Sequence, residues 1–320
     1  MDNSNSVFLV GGKVLTLFLI VFAGIIARKV NILDWASTKK LSAFLLNITQ
    51  PLMIITSFQI DFDAEKLKEG VSIFILSAAI HIFLAAAAFL LYKPVKNPEQ
   101  RKVFEMATIF TNCAFLGYPV LKVVFGDELG VFYGAFYSMF FNIFIWTYGI
   151  ILLSRGKNKG GEKIKLPVSK IFINAGMISS FIGIIIFAFK LKIPPVLFDS
   201  AKLVGDMTFP LSMVIIGSLI STVKLKSMFL SVKNYYYLII KLIVVPLFIG
   251  GVCRLLKLPP LLIYMGTLMT GMPSGANVAI FAETYESDAE SGAADVGLST
   301  LFSIVSVPFV IFMLSRVLKL

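Results

Sequence analysis

The chain has 320 residues, of which 58% are hydrophobic, with 30 Phe and a mean hydropathy of +0.89. That is more apolar side chain than a soluble core of this size absorbs, and it implies a polytopic membrane protein. The formal charge of +11 falls in the connections between apolar runs with no interleaved aromatic surface. Nucleic acid is therefore not an expected partner; the lipid bilayer is.

A helix needs about 20 apolar residues to cross the hydrocarbon core. Ten runs approach that length, at residues 6–27, 38–58, 70–92, 103–125, 129–153, 170–190, 199–220, 233–255, 260–284 and 293–317. The first follows a segment with no basic n-region and is long enough to span, so it is expected as a helix and not as a cleaved leader. The second, KKLSAFLLNITQPLMIITSF, carries Asn47, Thr49 and Pro51; the third carries His81, the single histidine. The fourth is interrupted by TNCAFLGYPV at residues 111–120. The basic stretch SRGKNKGGEKIKLPVSK then divides the chain near its middle, its Gly and Lys content suiting an exposed linker. Span seven, AKLVGDMTFPLSMVIIGSL, contains Asp206; span eight contains Lys241; and span nine is interrupted by TGMPSGANVAI at residues 270–280.

Five spans on each side of the linker reverse the sense of the second half. The predicted organisation is a first five-helix repeat over 1–153, a cytoplasmic linker over 154–169 and an inverted repeat over 170–320. Aligning Pro51 with Pro210 also matches Leu52 with Leu211 and Thr49 with Thr208, and sets Asn47 opposite Asp206. His81 and Lys241 fall within about a residue of equivalence, and the interruptions fall in matching spans, four and nine. With both termini outside, 17 Lys and Arg face inward against nine outward, in line with the positive-inside rule. The connection ETYESDAESGAAD after span nine, which should face inward, carries neither.

Proline removes a backbone donor and clashes with the carbonyl one turn back. Pro119 and Pro273 should thus free polar groups at membrane depth, which must face protein or a wet cavity. Gly117, Gly271 and Gly275 allow two backbones to cross closely. Half-helices starting near the prolines would aim N–H groups and positive dipole ends at the crossing, a setting that suits an anion. Asn112, Tyr118, Ser274 and Asn277 supply polar groups without fixed charge, and Lys122 stands one turn past Pro119. The plain alternative is that Pro and Gly only kink helices while Asn bridges neighbouring backbones. Three residues are candidates for ion or proton coupling. Asp206 is a carboxylate at helix depth, with an ion pair to Lys202 as the alternative. His81 has the right reference chemistry, with helix packing as the alternative. Lys122 would add positive potential. Cys113 and Cys253 lie far from any metal-ligand spacing, and neither a metal site nor a cofactor motif is expected.

In TNCAFLGYPV, in PSGANVAIFAETYESD and in its layout over nearly the whole length, the chain resembles the auxin efflux carrier family, which includes plant auxin exporters and bacterial malate-permease-like proteins. The resemblance implies ten transmembrane helices in an inverted repeat with spans four and nine crossing at broken, Pro-containing points. It also implies organic anions as substrates, a helix bundle moving against a scaffold, and a homodimer formed through that scaffold. By motif it carries over Asn112, Gly117, Pro119, Pro273 and Asn277. The central connection is short where the plant exporters have a long hydrophilic loop, and Asn112 and Pro119 are separated where they have adjacent Asn and Pro. A bacterial carboxylate carrier is therefore the closer expectation.

The sequence reading is an all-α polytopic membrane protein, a secondary transporter of small organic anions working by alternating access, with malate-like or auxin-like carboxylates as substrates. The cell membrane is its expected place, the inner membrane of a bacterium. Coupling to H+ or Na+ is left open, as is the alternative of a cation-coupled carrier for a neutral or amino-acid solute. An intramembrane enzyme needs a nucleophile with its base, paired aspartates or metal ligands at depth, and the motifs for these are missing. No Walker-type loop is present.

Overall fold

A computed structural model describes residue 16 and residues 19–155, 173–221 and 232–318. Most of the first predicted span and of the central linker therefore lie outside the described residues. The regular structure is helical, with no strand among the described residues. Helix α1 covers residues 19–29. It is followed by α2 (Trp35–Phe44), α3 (Gln50–Ser57), α4 (Ala64–Leu91), α5 (Pro98–Ile109), α6 (Tyr118–Phe125), α7 (Asp127–Phe144) and α8 (Ile150–Ser154). The second half contains α9 (Ala175–Ala188), α10 (Pro195–Asp206), α11 (Thr208–Ser221), α12 (Val232–Ile239), α13 (Val245–Leu255), α14 (Pro260–Gly271), α15 (Asn277–Thr284) and α16 (Ala289–Leu318).

Among the described residues, five helical stretches are long and apolar enough to cross a membrane: Ala64–Leu91, Asp127–Ser154, Pro195–Ser221, Lys233–Leu255 and Ala289–Arg316. They fall on predicted runs three, five, seven, eight and ten. Large apolar side chains such as Ile75, Ile82, Leu203 and Val305 point outward from them, which suits lipid and is costly in water. Cys113–Phe125, Ala175–Ala188 and Pro260–Gly271 are apolar but shorter.

Local sequence chemistry explains the ends. Asp34, Asp63, Asn97 and Asn174 cap α2, α4, α5 and α9, each accepting a bond from a backbone N–H of the first turn. Gly126, at φ 91°, makes the tight turn between α6 and α7. Three of the π-helical turns, Leu45–Thr49, Cys113–Gly117 and Ile240–Val244, run directly into helices whose second residue is Pro51, Pro119 or Pro246. A wider turn absorbs the carbonyl that a proline ring would strike and the bond it cannot make, so the chain continues past it.

The two halves interlock where their sequences match. Thr208 donates its hydroxyl to that of Thr49 at 2.9 Å, joining the pair that the internal alignment equates. Gly24 of α1 lies against the Val214 backbone, and Gly217 of α11 against that of Val21. A buried carboxylate anchors the middle of α5: Glu105, with a fully buried side chain, meets Arg101 Nε and Arg155 Nη2, each at 2.9 Å. Lys102 adds bonds to the Leu153 and Arg155 carbonyls. The body of α5 is thus clamped to the end of α8.

Candidate functional site

Predicted runs four and nine each leave the helix in their middle. After α5 the backbone turns extended at Phe110, and after α14 at Met272. The two extended stretches meet as an isolated antiparallel bridge between Thr111 and Ser274. Asn112 N donates to Pro273 O at 2.7 Å, and Gly275 N donates to Phe110 O at 3.0 Å. Each interruption satisfies groups the other leaves unpaired, as an apolar interior demands. Gly275 permits the approach, since a Cβ there would lie 3.1 Å from Thr111 O and 3.4 Å from Phe110 O. Gly117 lies against Asn112 O and the Met269 thioether.

Lys241 sits at the C-terminal ends of α5 and α14. Its side chain is fully buried, and its ammonium donates to Thr270 O at 2.9 Å and Thr108 O at 3.3 Å. Each helix C-terminus carries about half a negative charge, and Lys241 Nζ directs its N–H groups at both ends. The Tyr92 and Thr108 hydroxyls share a hydrogen bond at 2.7 Å.

The opposite ends are less fully used. Asn112 caps the turn that leads into α6 by accepting from Phe115 N at 3.0 Å, and its Nδ2 has no acceptor among the described residues. At the start of α15, the backbone N–H groups of Ala276 and Asn277 find no acceptor among the described residues, nor does the Asn277 side chain have a partner there. Asn112 lies one residue past the bridge on one limb, and Asn277 three past it on the other. Unpaired donors at helix starts, beside helix ends already capped by Lys241, make a donor-rich polar surface that suits a carboxylate.

Other predicted residues do different work. Ser274 is fully buried and fully used: its N–H goes to Ser299 Oγ at 3.0 Å, its hydroxyl to Ala107 O at 2.8 Å, and the Tyr237 hydroxyl bonds it as well. Gly275 spends its N–H on the bridge. Tyr118 turns away from the bridge toward α7, where Gly134 makes room for its ring, and its hydroxyl faces Ser138 and Gln50. Pro119 and Pro273 hold the backbone on either limb.

The candidate coupling residues do not gather at the bridge. Asp206 is half exposed and pairs with Lys122 at 3.4 Å, while Lys202 pairs with Glu128 at 3.3 Å. Lys122 also reaches Asp127 at 3.9 Å. His81 is buried, donates Nδ1–H to Ser77 O at 2.7 Å and is ringed by Phe110, Tyr137, Phe140, Phe141 and Phe144. Those contacts suit helix packing.

Two residues absent from the predicted set belong to this region. Lys241 was marked in the sequence only by its rarity. Asp295 looked like part of an acidic connection, yet α16 begins at Ala289 and buries it completely. The available signal was periodic: Asp295, Ser299, Ser303 and Ser306 recur at helical spacing, and all four are buried.

The family described as membrane transport protein matches residues 9–311. An uncharacterized transporter of Methanocaldococcus jannaschii, MJ1031, is 24% identical over 299 residues, covering 91% of this chain and 94% of the relative. An uncharacterized transporter of Methanothermobacter thermautotrophicus is 23% identical over 311 residues, covering 92% and 95%. With a helical, lipid-facing fold and a match along almost its entire length, the chain belongs to the membrane transport protein family, that of the auxin efflux carriers its motifs resemble.

Proposed function

We propose that the protein is a secondary carrier of small organic anions, with the substrate carboxylate held at the Thr111–Ser274 bridge. The observation that carries this reading is the set of unpaired donors at the bridge: Asn112 Nδ2, the Ala276 and Asn277 N–H groups and the Asn277 amide. Lys241 supports it by neutralising the helix ends that would repel an anion. Ser274 and Gly275 hold the two limbs together instead of binding ligand.

In the same reading the chain has ten spans in a five-plus-five inverted repeat, with spans four and nine as broken helices. The contact between Thr49 and Thr208 supports that relation. Alternating access moves the bundle that holds the bridge against a scaffold, which pairs with a second copy, in a cell membrane.

The test is the melting temperature of detergent-purified protein across mono- and dicarboxylates, indole-3-acetate and amino acids, with and without sodium, at acid and neutral pH. The expected result is a carboxylate-specific rise that is lost in Asn277→Ala and in Asn112→Asp. The second variant keeps an oxygen for the Phe115 cap while placing negative charge in the site. A rise only with a neutral solute or a cation contradicts the anion reading and favours a cation-coupled carrier.

A further inference from the structure

Asp295 is the buried acid that the bridge leaves unexplained. Its side chain is fully buried in α16, and neither carboxylate oxygen has a hydrogen-bond partner among the described residues. An ionised carboxylate so placed is untenable, because nothing replaces its lost hydration. It must hold a proton or a cation.

The surroundings favour a proton. A sodium ion needs a cage of oxygen ligands, and the nearby hydroxyls are committed. Ser299 Oγ donates to the Asp295 carbonyl at 2.5 Å and accepts from Ser274 N, while the Ser274 hydroxyl is taken by Ala107 O and Tyr237. The titratable groups within electrostatic reach are the Tyr237 phenol of α12, the Tyr92 phenol after α4 and the Asp288 carboxyl before α16. Other charges on the packed elements are engaged elsewhere. Glu105 holds Arg101 and Arg155, Lys102 holds Glu99, Lys233 reaches Gln100, and Lys241 serves the two helix ends. Glu283 and Arg254 lie at exposed ends of α15 and α13. Among the described residues, Asp295 therefore has no fixed cation to pair with.

Its position links it to the bridge. Ser299, one turn along α16, accepts the backbone N–H of Ser274, the bridge residue itself. A negative charge at Asp295 lies close behind the anion site in a low-dielectric interior, where like charges repel strongly. Protonation removes that repulsion, so proton and anion each favour the binding of the other. Resting on the anion reading above, we propose that Asp295 is the proton site of a proton–anion symporter. The carboxylate takes up one proton from the side the bridge faces, crosses as the neutral acid with the substrate, and releases the proton on the other side. Of the candidates read from sequence, Asp206 is half exposed and paired with Lys122, and His81 is packed among aromatic rings, so neither is a buried acid without a partner.

The test uses the full chain in liposomes, with radiolabelled malate as probe and the membrane potential clamped at zero by valinomycin and equal potassium. One proton per turnover gives an accumulation of about tenfold for each unit of imposed pH gradient. In Asp295→Asn, which keeps the shape of the side chain, the ratio of uptake with and without the gradient should fall to one. The melting temperature checks that the variant folds. Gradient-driven uptake retained in Asp295→Asn overturns the proposal, and so does uptake driven by sodium but not by protons. Infrared difference spectra provide a readout that needs no substrate. Wild type should show a protonated carboxyl band that is absent in Asp295→Asn and fades toward alkaline pH. With no malate uptake at all, the anion reading fails for malate, while presence or absence of that band still decides whether Asp295 carries a proton.

Discussion

Replacing Lys241 by methionine removes the charge that joins the C-terminal ends of α5 and α14 while keeping an unbranched side chain of similar length. The lost bonds are those to Thr270 O at 2.9 Å and Thr108 O at 3.3 Å. Hydrogen bonds from a charged donor contribute about 1.5–3 kcal/mol each. Against this stands relief of the ammonium's desolvation, several kcal/mol in effective terms. The remaining cost comes from two buried carbonyls left without a donor, about 1–3 kcal/mol apiece. The net expectation is a loss on the order of 2 kcal/mol, or about 4 °C in melting temperature. The assay is thermal unfolding in detergent, run in sodium chloride and in choline chloride. Sodium should protect Lys241→Met more than wild type, because a small cation can take the place of the ammonium between the carbonyls. An unchanged or higher melting temperature, with no difference between the two salts, refutes the assignment of Lys241 as the neutraliser of the helix ends.

Gly275→Val should cost about 1–3 kcal/mol from overpacking, because its first added carbon already meets the Thr111 carbonyl at 3.1 Å; unfolding curves read this directly. A double-mutant cycle of Thr49→Val with Thr208→Val should give a coupling of about 1 kcal/mol from the buried hydroxyl pair, and a coupling of zero denies that contact. Glu105→Gln should lower stability by about 3 kcal/mol, since it uncouples Arg101 and Arg155 from a buried carboxylate. Lys122→Ala should change stability by less than about 1 kcal/mol, because its pair with half-exposed Asp206 is solvent-screened.

Several features were legible because they depend on short-range rules. Apolar length placed the five long spans within a few residues; Pro273 marked where one further run leaves the helix, and Pro119 where another resumes it. The internal match of Thr49 with Thr208 pointed to residues that now touch. What the sequence withheld is mostly direction and pairing. Pro and Gly show that a helix stops, but not that Thr111 will meet Ser274. The type of a polar residue does not reveal which partner it will spend itself on: Ser274 reads as a ligand group in the sequence, whereas its N–H and hydroxyl bond Ser299, Ala107 and Tyr237. Tyr118 read as a neighbour of the substrate, yet its ring follows the space left by Gly134. Asp206 was given Lys202, one turn away, whereas tertiary packing brought Lys122 across from α6. Asp295 falls inside the predicted last run, which starts at residue 293, but it also closes the acidic stretch ETYESDAESGAAD, and only the packing of α16 shows that it is buried.

Saturable uptake of radiolabelled malate into proteoliposomes, compared between wild type and Asn277→Ala, tests the anion site most directly. Asn277 makes no side-chain bond among the described residues, so the substitution should leave folding intact and isolate binding. Anion recognition at the bridge predicts wild-type uptake that saturates and is competed by other carboxylates, with half-saturation raised about tenfold or more in the variant, the equivalent of about 1.4 kcal/mol. Equal half-saturation in the two proteins, at equal melting temperatures, would contradict a carboxylate site at the Thr111–Ser274 bridge.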